Sequence, residues 1–265
     1  MNIERTESTN TLLKELIAKG QWPEDEEYLR ASYQTAGRGQ QGNGWESAPD
    51  ENLLCSILLP PRKNLFELNV IASVAVCLFA KRSLSDSGLS SLSTEDCLWP
   101  SEPSKVSIKW PNDIYWQDKK LAGILIENAI IGNEVKYSIA GIGLNVNQTE
   151  WQSDAPNPVS LRQITGETYD LNWLMNQLLT SVREVQSWSS DRQWAYYRAN
   201  LYRREGYHPY VEREVTIAPT TNASSHIQEQ FLARIEDILP TGEIVLRDQN
   251  NQQRIYHFKQ IRYIL

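Results

Sequence analysis

Two stretches of the 265-residue chain hold most of the side chains able to do chemistry. The first, Gly37-Arg38-Gly39-Gln40-Gln41-Gly42-Asn43-Gly44-Trp45, sets four glycines and one arginine in eight residues ahead of a tryptophan. Glycine lets a backbone approach a ligand closely. A guanidinium inside such a run is a candidate clamp for a carboxylate or phosphate, because its fork of donors matches both. The second stretch runs from Lys109-Trp110-Pro111-Asn112-Asp113 to Lys120-Leu121-Ala122-Gly123 and has the pattern of a hairpin with lysines near the two ends of one strand pair. Two lysines brought to one place suit a reaction that gathers negative charge on phosphate oxygens. The chemistry these residues suggest is activation of an acid by a nucleotide.

For these groups to meet, strands must carry them and loops must close over them. Ser8-Thr9-Asn10 precedes Leu12, Leu13, Leu16 and Ile17, the pattern of an amphipathic helix with a polar cap in front. Strands are expected over 28–33 and 52–59, with the glycine-rich stretch as the loop between them. The spacing of Leu68, Ile71, Val74, Ala75, Leu78 and Phe79 predicts a largely buried helix over 66–84. Residues 83–104, rich in serine and proline, predict a surface insertion whose role stays open. Strands follow over 106–110, 114–116, 121–128 and 135–147. Asp170 caps a helix bearing Leu171, Leu174, Leu178, Val182 and Val185, and another helix is expected over 191–202. Clustered strands between helices, without regular alternation, indicate an α+β domain on a mixed sheet. After Gly206 short strand patterns over 208–218, 231–239, 242–248 and 253–258 suit a small barrel docked on the main domain. The expected division is 1–206 and 207–265.

Bulk properties narrow the class. The chain is 40% hydrophobic and 22% charged, ordinary for a globular protein. A net charge of -7, with no basic tail, argues against a general nucleic-acid binder. No apolar run reaches the length of a membrane span, and the residues after Met1 lack a signal-peptide layout. Cys55, Cys77 and Cys97 are far apart, which favours reduced thiols in a cytosol, with Cys77 in a helix core. His208, His226 and His257 show no metal-ligand spacing, so no protein-ligated metal is expected.

Three segments in this order, GRGQQGNGW (37–45), KWPNDIYWQDKKLAGILIE (109–127) and AGIGLNVN (140–147), resemble the biotin–protein ligases over essentially the whole chain. The resemblance implies a mixed sheet with helices, similar to the class II aminoacyl-tRNA synthetases and biotin synthetases, plus a small C-terminal SH3-like β-barrel. It implies an enzyme that makes biotinyl-5'-AMP from biotin and ATP. The biotinyl group then passes to a lysine ε-amine on a biotin carboxyl carrier protein domain of a biotin-dependent carboxylase, with acetyl-CoA carboxylase the natural guess. Mg²⁺ would ride on the triphosphate. A cytoplasmic protein with no membrane partner is implied, and a homodimer through a sheet edge stays open. Some relatives carry an N-terminal helix-turn-helix domain; here the signature begins within ten residues of Met1, so neither DNA binding nor repressor function is expected.

The same resemblance distributes the site residues. Ser8, Thr9, Asn10 and Gln34 fall at the ureido end of biotin, whose buried polar atoms need partners. Gly37, Arg38, Gly39 and Gln40 belong to a loop that folds over biotin and the adenylate, excluding water from a hydrolysable anhydride. Lys120 falls between biotin's carboxylate and the α-phosphate, with Gly123 at a close approach beside it. Lys109 lies on the phosphate side, and Asn112, Asn145 and Trp45 toward the nucleotide. Arg38, Lys109, Asp113 and Lys120 are the catalytic candidates, Asp113 as acceptor of the incoming lysine's proton. Plainer readings stay beside these: a helix cap for 8–10, a surface side chain for Gln34, core for Trp45, a turn cap for Asp113.

One departure stands out. Many relatives carry a second arginine directly after Gly-Arg-Gly, where this chain has Gln40, so looser retention of the adenylate is expected. Two rivals remain. A lipoate or octanoyl ligase shares the logic, but its Arg-Arg-x-Ser-Gly-Gly-Gly-Ala loop is absent here. A biotin-binding module without catalysis fits poorly with Lys109, Asn112, Asp113 and Lys120 all in place.

Overall fold

One long helix, apolar on every side, organises the main core. α2 (Phe66–Ser83) buries thirteen residues from Leu68 to Lys81. A helix apolar all round must be covered all round. One side of α2 lies on a seven-stranded sheet and the other meets the later helices α4 (Leu171–Ser187) and α5 (Ser190–Ala199). The computed structural model describes residues 1–39, 42–85, 104–132, 134–153, 155–213 and 230–264. Gln40, most of the serine-rich insertion (86–103), Cys97 and the far part of the strand expected over 208–218 lie outside the described residues.

The sheet runs in the order β1-β2-β3-β7-β6-β5-β4. Its strands are β1 (Asn2–Thr6), β2 (Tyr28–Gln34), β3 (Leu53–Leu59), β4 (Val106–Lys109), β5 (Asp113–Trp116), β6 (Lys119–Ile131) and β7 (Glu134–Leu144). β1 pairs parallel with β2, and the remaining ladders are antiparallel, so the sheet is mixed. β1 was not foreseen: its burial is slight and its polar residues give no apolar alternation to read. A short helix, α3 (Leu161–Thr165), was also not foreseen, although Ser160 and Gln163 form a full capping box.

The face opposite α2 carries α1 (Thr9–Ala18), whose Leu13 packs with Leu29 and Ile139. Here the expected cap needs correction. Ser8 occupies the N-cap position, yet its side chain accepts no capping hydrogen bond. Ser8, Thr9 and Asn10 are all buried, and their polar groups face the cleft described below. Asp170, in contrast, caps α4 as expected, accepting from Trp173 N–H at 2.8 Å.

A second sheet, in the order β11-β10-β9-β8-β12, comprises β8 (His208–Glu212), β9 (Gln230–Ile238), β10 (Ile244–Asp248), β11 (Gln253–Tyr256) and β12 (Ile261–Tyr263). Among the described residues no ladder joins β11 to β12, so the described strands form an open sheet. It docks firmly on the larger sheet. Trp110 Nε1 donates to the Gly242 carbonyl at 2.9 Å, and Trp110 meets Phe258 edge-on at 5.9 Å. Gly242 sits at φ +104, where a side chain would be strained and would also collide with Phe66. Asn64 donates to the Pro240 carbonyl at 2.7 Å, and Arg198 pairs with Asp237 at 2.7 Å.

Candidate active site

Strand register assembles the site. Side chains alternate across a strand, so residues paired across a ladder share a face. Lys109 pairs with Asp113, Asp113 with Gly123, and Gly123 with Gly143, forming one row. The next row on that face runs Leu125, Gly141 and Ser56, and the third runs Glu127, Ile139 and Leu58. Lys120, three residues before Gly123, would face the other way on a straight strand. A register shift between Ile114 and Tyr115 sets Lys120 opposite Tyr115 and lets its ammonium reach Asp113. The two charges lie 2.8 Å apart.

The first two rows floor a cavity of about 250 Å³ lined by residues 8–10, Gln34, the glycine-rich loop and the 109–113 turn. At one end the floor is polar. Thr9 donates to Gln34 Oε1 through both its N–H (2.7 Å) and its hydroxyl (3.1 Å), which leaves the Gln34 NH₂ for the cleft. The Ser56 hydroxyl lies 2.7 Å from Thr9 Oγ1 and 2.5 Å from Asn10 Oδ1, with one proton to serve both. The backbone of Cys55 borders the cleft, while its side chain turns into the core with Ile142 and Ile124; burial pushes the thiol up to about 12, against the opposing charge of Arg30, so it stays protonated.

The middle of the floor is bare. A Cβ on Gly143 would collide with the Trp45 indole, one on Gly123 would lie 2.8 Å from it, and one on Gly141 would run into the Asn10 amide. Trp45 therefore lies across the two glycines, with Lys120 Nζ 5.6 Å from its ring centre. Its buried Nε1 finds no partner among the described residues. The loop before it is pinned at its base: Trp45 N–H donates to Gly37 O at 2.9 Å, and Gly39 N–H to Asn43 O at 2.6 Å.

At the other end charge accumulates. Lys109 donates to Tyr115 Oη at 2.8 Å and stands 4.5 Å and 5.2 Å from the ring centres of Tyr115 and Tyr263. Burial in this box brings its ammonium down to about 8; Lys120 and Arg203 push the same way and Asp113 opposes them. Asn112 is buried and donates to Ile124 O at 2.6 Å, which holds the turn against β6.

The structure brings together Ser8, Thr9, Asn10, Gln34, Arg38, Gly39, Trp45, Lys109, Asn112, Asp113, Lys120 and Gly123. It sets two others back. Gly37 shapes the loop through its carbonyl and does not line the cleft. Asn145 is only 3% exposed and stands behind the floor, donating to Lys120 O at 3.3 Å and Val159 O at 3.1 Å. Its contact is with the backbone that carries Lys120.

Several residues in and behind the cleft escaped the sequence reading. Ser56 and Glu127 are legible only once strand parity is fixed. Arg213, Lys259, Arg262 and Tyr263 line the cleft from the second sheet. No local pattern announces them, because their place depends on how that sheet docks.

Known proteins resemble this chain. The chain is 32% identical over 185 residues to the biotin–[acetyl-CoA-carboxylase] ligase of Mycobacterium tuberculosis, a match covering 70% of this chain and 62% of that protein. It is 27% identical to the enzyme of the same name from Paracoccus denitrificans, over 96% of each. The biotin protein ligase of Aquifex aeolicus, solved with biotin and ATP, superposes with a TM-score of 0.70 at 22% identity, covering 100% of this chain and 98% of that one. That likeness carries the fold. The model of the biotin/lipoate A/B protein ligase family matches residues 2–145, the segment that holds the whole seven-stranded sheet together with Lys109 and Lys120. By that match the chain belongs to the biotin/lipoate A/B protein ligase family.

Proposed function

We propose that the protein is a biotin–protein ligase that forms biotinyl-5'-AMP from biotin and ATP and transfers the biotinyl group to a lysine of a biotin carboxyl carrier domain. The observation that carries this reading is the single row Lys109, Asp113, Gly123 and Gly143, with Lys120 turned onto the same face. It joins a polar pocket at one end to a cationic one at the other across a bare floor. The names of the mycobacterial and Paracoccus relatives support the substrate and the carboxylase carrier.

The acid's polar head is placed at Thr9, Asn10, Gln34 and Ser56, and its chain runs over Gly141 toward Lys120. There its carboxylate oxygen attacks the α-phosphorus of ATP, the bond to the bridging oxygen breaks, and pyrophosphate leaves. Lys120 and Lys109 meet the charge that grows on the phosphoryl oxygens, an effect worth about 3 kcal/mol for one well-placed donor. Arg213, Lys259 and Arg262 supply positive charge on the side where the triphosphate tail would lie. In the second step the carrier amine attacks the acyl carbon and AMP leaves. Asp113 is the carboxylate placed to take the amine proton, since an ammonium has no lone pair to attack with. Asn112 and Trp45 are assigned to the nucleotide side, and Asn145 supports Lys120 from behind.

Mg²⁺ in this reading arrives on the nucleotide. Among the described residues no group of three or more metal-binding side chains exists, and Asp113 is the one carboxylate lining the cleft. That donor set fits an ion held mainly by phosphate oxygens, which the ion would help neutralise. The division into a catalytic 1–206 unit and a 207–265 unit with an SH3-like barrel plan belongs to the same proposal, supported by the five-stranded second sheet. A cytoplasmic setting is part of the same proposal.

Intact-mass analysis of a biotin carrier domain, incubated with the protein, Mg²⁺, ATP and either biotin or lipoate, tests the reading. One biotinyl addition that requires ATP is expected. Lipoylation would keep the acyl-adenylate chemistry and overturn the substrate. No acylation, with biotin still bound, would replace the enzyme reading by a binding module.

A further inference from the structure

The assignment above leaves Glu127 without a role, although it stands two residues beyond Leu125 on the cleft face of β6. Three partners share its carboxylate. Asn10 Nδ2 donates to Oε2 at 2.7 Å, Lys14 Nζ to Oε1 at 2.6 Å, and Arg38 Nη2 approaches Oε2 at 3.2 Å and Oε1 at 3.5 Å. Burial by itself would raise this carboxyl. Hydrogen bonds from Lys14 and Asn10, with the charges of Lys14 and Arg38, outweigh it and hold the group below the usual carboxylate range. It is an anion at neutral pH.

The three contacts are not equal. Charge-assisted N–H···O bonds run to about 2.7–2.9 Å when well made. The Asn10 and Lys14 bonds are of that kind; the Arg38 contact is longer, and the Arg38 side chain is 46% exposed against 18% for Glu127. Arg38 is therefore the exchangeable partner, while Asn10 is the fixed one. A neutral hydroxyl, Thr11 Oγ1, receives the same Nη2 at 2.9 Å and steadies the guanidinium on α1.

We propose that Glu127 is a positioning residue: its carboxylate parks the Arg38 guanidinium at the cleft mouth while no substrate anion is bound and yields it to the acid carboxylate or phosphate when one binds. The proposal rests on the reading of the cleft as an acid-activating site. Parking keeps the guanidinium within reach of its later partner and reduces the ordering the loop must undergo on binding. The same carboxylate anchors Asn10, so the acid-binding floor and the loop share one residue. An exposed pair of this kind is weak enough for a substrate anion to displace.

Glu127→Gln separates the two duties, because an amide oxygen still accepts from Asn10 while the charge that holds Arg38 is gone. Trypsin cleavage of the Arg38–Gly39 bond, followed by mass spectrometry on the full chain, reads the parked state directly. In the ligand-free variant we expect cleavage about two- to five-fold faster than in the unmodified protein, the span an exposed ion pair can shift an opening equilibrium. Saturating biotin and ATP should restore protection. The KM for biotin should rise by about the same factor, with kcat for carrier transfer changed less than about two-fold. Cleavage at the unmodified rate would overturn the proposal. So would an equal acceleration from Lys14→Met, since that would trace the effect to α1 and not to Arg38. If neither protein gains protection from biotin and ATP, the hand-over fails along with the cleft reading, even where the ligand-free difference shows the parking contact itself.

Discussion

Lys120 Nζ lies 2.8 Å from Asp113 Oδ1, each side chain about one third exposed, so the two groups assigned to successive steps neutralise one another. Substrate anions must draw Lys120 away before Asp113 can serve as a base, and this ties the order of the two steps to one ion pair. The half-reactions should then separate by mutation. Lys120→Ala is expected to lower ATP–pyrophosphate exchange about 100-fold, the effect of removing one preorganised charge donor. Asp113→Asn should leave exchange within about five-fold and slow single-turnover transfer to the carrier about 100-fold. Equal losses in both assays for Asp113→Asn would remove its role as base.

Lys109 gives the pH dependence its sign. Burial lowers its ammonium from 10.5 to about 8, so below pH 8 it carries the charge assigned to the phosphate side and above pH 8 it loses it. The kcat/KM for ATP in the exchange reaction should fall above about pH 8, approaching tenfold per pH unit. Lys109→Arg, which does not titrate in this range, should lack that limb. For folding the sign reverses. A lysine whose folded value lies below its unfolded value burdens the fold while charged, fully below about 8, and the burden lifts as pH rises toward 10.5. Lys109→Met should accordingly raise Tm at pH 7 while abolishing exchange, measured by calorimetry and exchange on one preparation.

The bare floor predicts two different outcomes for the same small substitution. Gly141→Ala pushes against Asn10, whose amide is held by Ser56 and Glu127 and cannot give way. Biotin binding should weaken at least about tenfold, with about 1–3 kcal/mol of overpacking cost. Gly143→Ala pushes against Trp45, which belongs to the loop and can swing out. Stability should fall by less than about 1 kcal/mol, while the loss appears in ATP use. Isothermal titration with biotin and unfolding curves for both variants check the contrast.

Gln40 lies outside the described residues, and the expectation for it comes from the sequence alone. With one cation fewer than many relatives in the loop, the protein should release biotinyl-AMP faster than its Gln40→Arg variant and acylate exposed lysines of bystander proteins more. A rise of about three- to tenfold in intermediate retention is expected on adding a charge-assisted phosphate contact. Equal release rates would discard the idea.

By itself the sequence determined the chemical inventory. An arginine among glycines, the lysines of the 109–120 hairpin and the three bare positions at 123, 141 and 143 are local in the chain, and their type limits what they can do. It also determined the mixed α+β architecture, since α2 is apolar on every side and the strand runs are continuous. Only the tertiary structure decided which of these residues meet. Lys120 reaches Asp113 because one irregularity in the ladder reverses its side, and a single residue of register moves every side chain to the other face. Asn145, read as a nucleotide contact, lies just past the end of β7 and donates to the carbonyls of Lys120 and Val159. Ser8 to Asn10, read also as a helix cap, spend their polar groups on the cleft because burial leaves them no water to pair with. Glu127, and the cations Arg213, Lys259 and Arg262, depend on ladders and on docking between two sheets that are far apart in the chain. Such contacts are set by packing, which no window along the sequence contains.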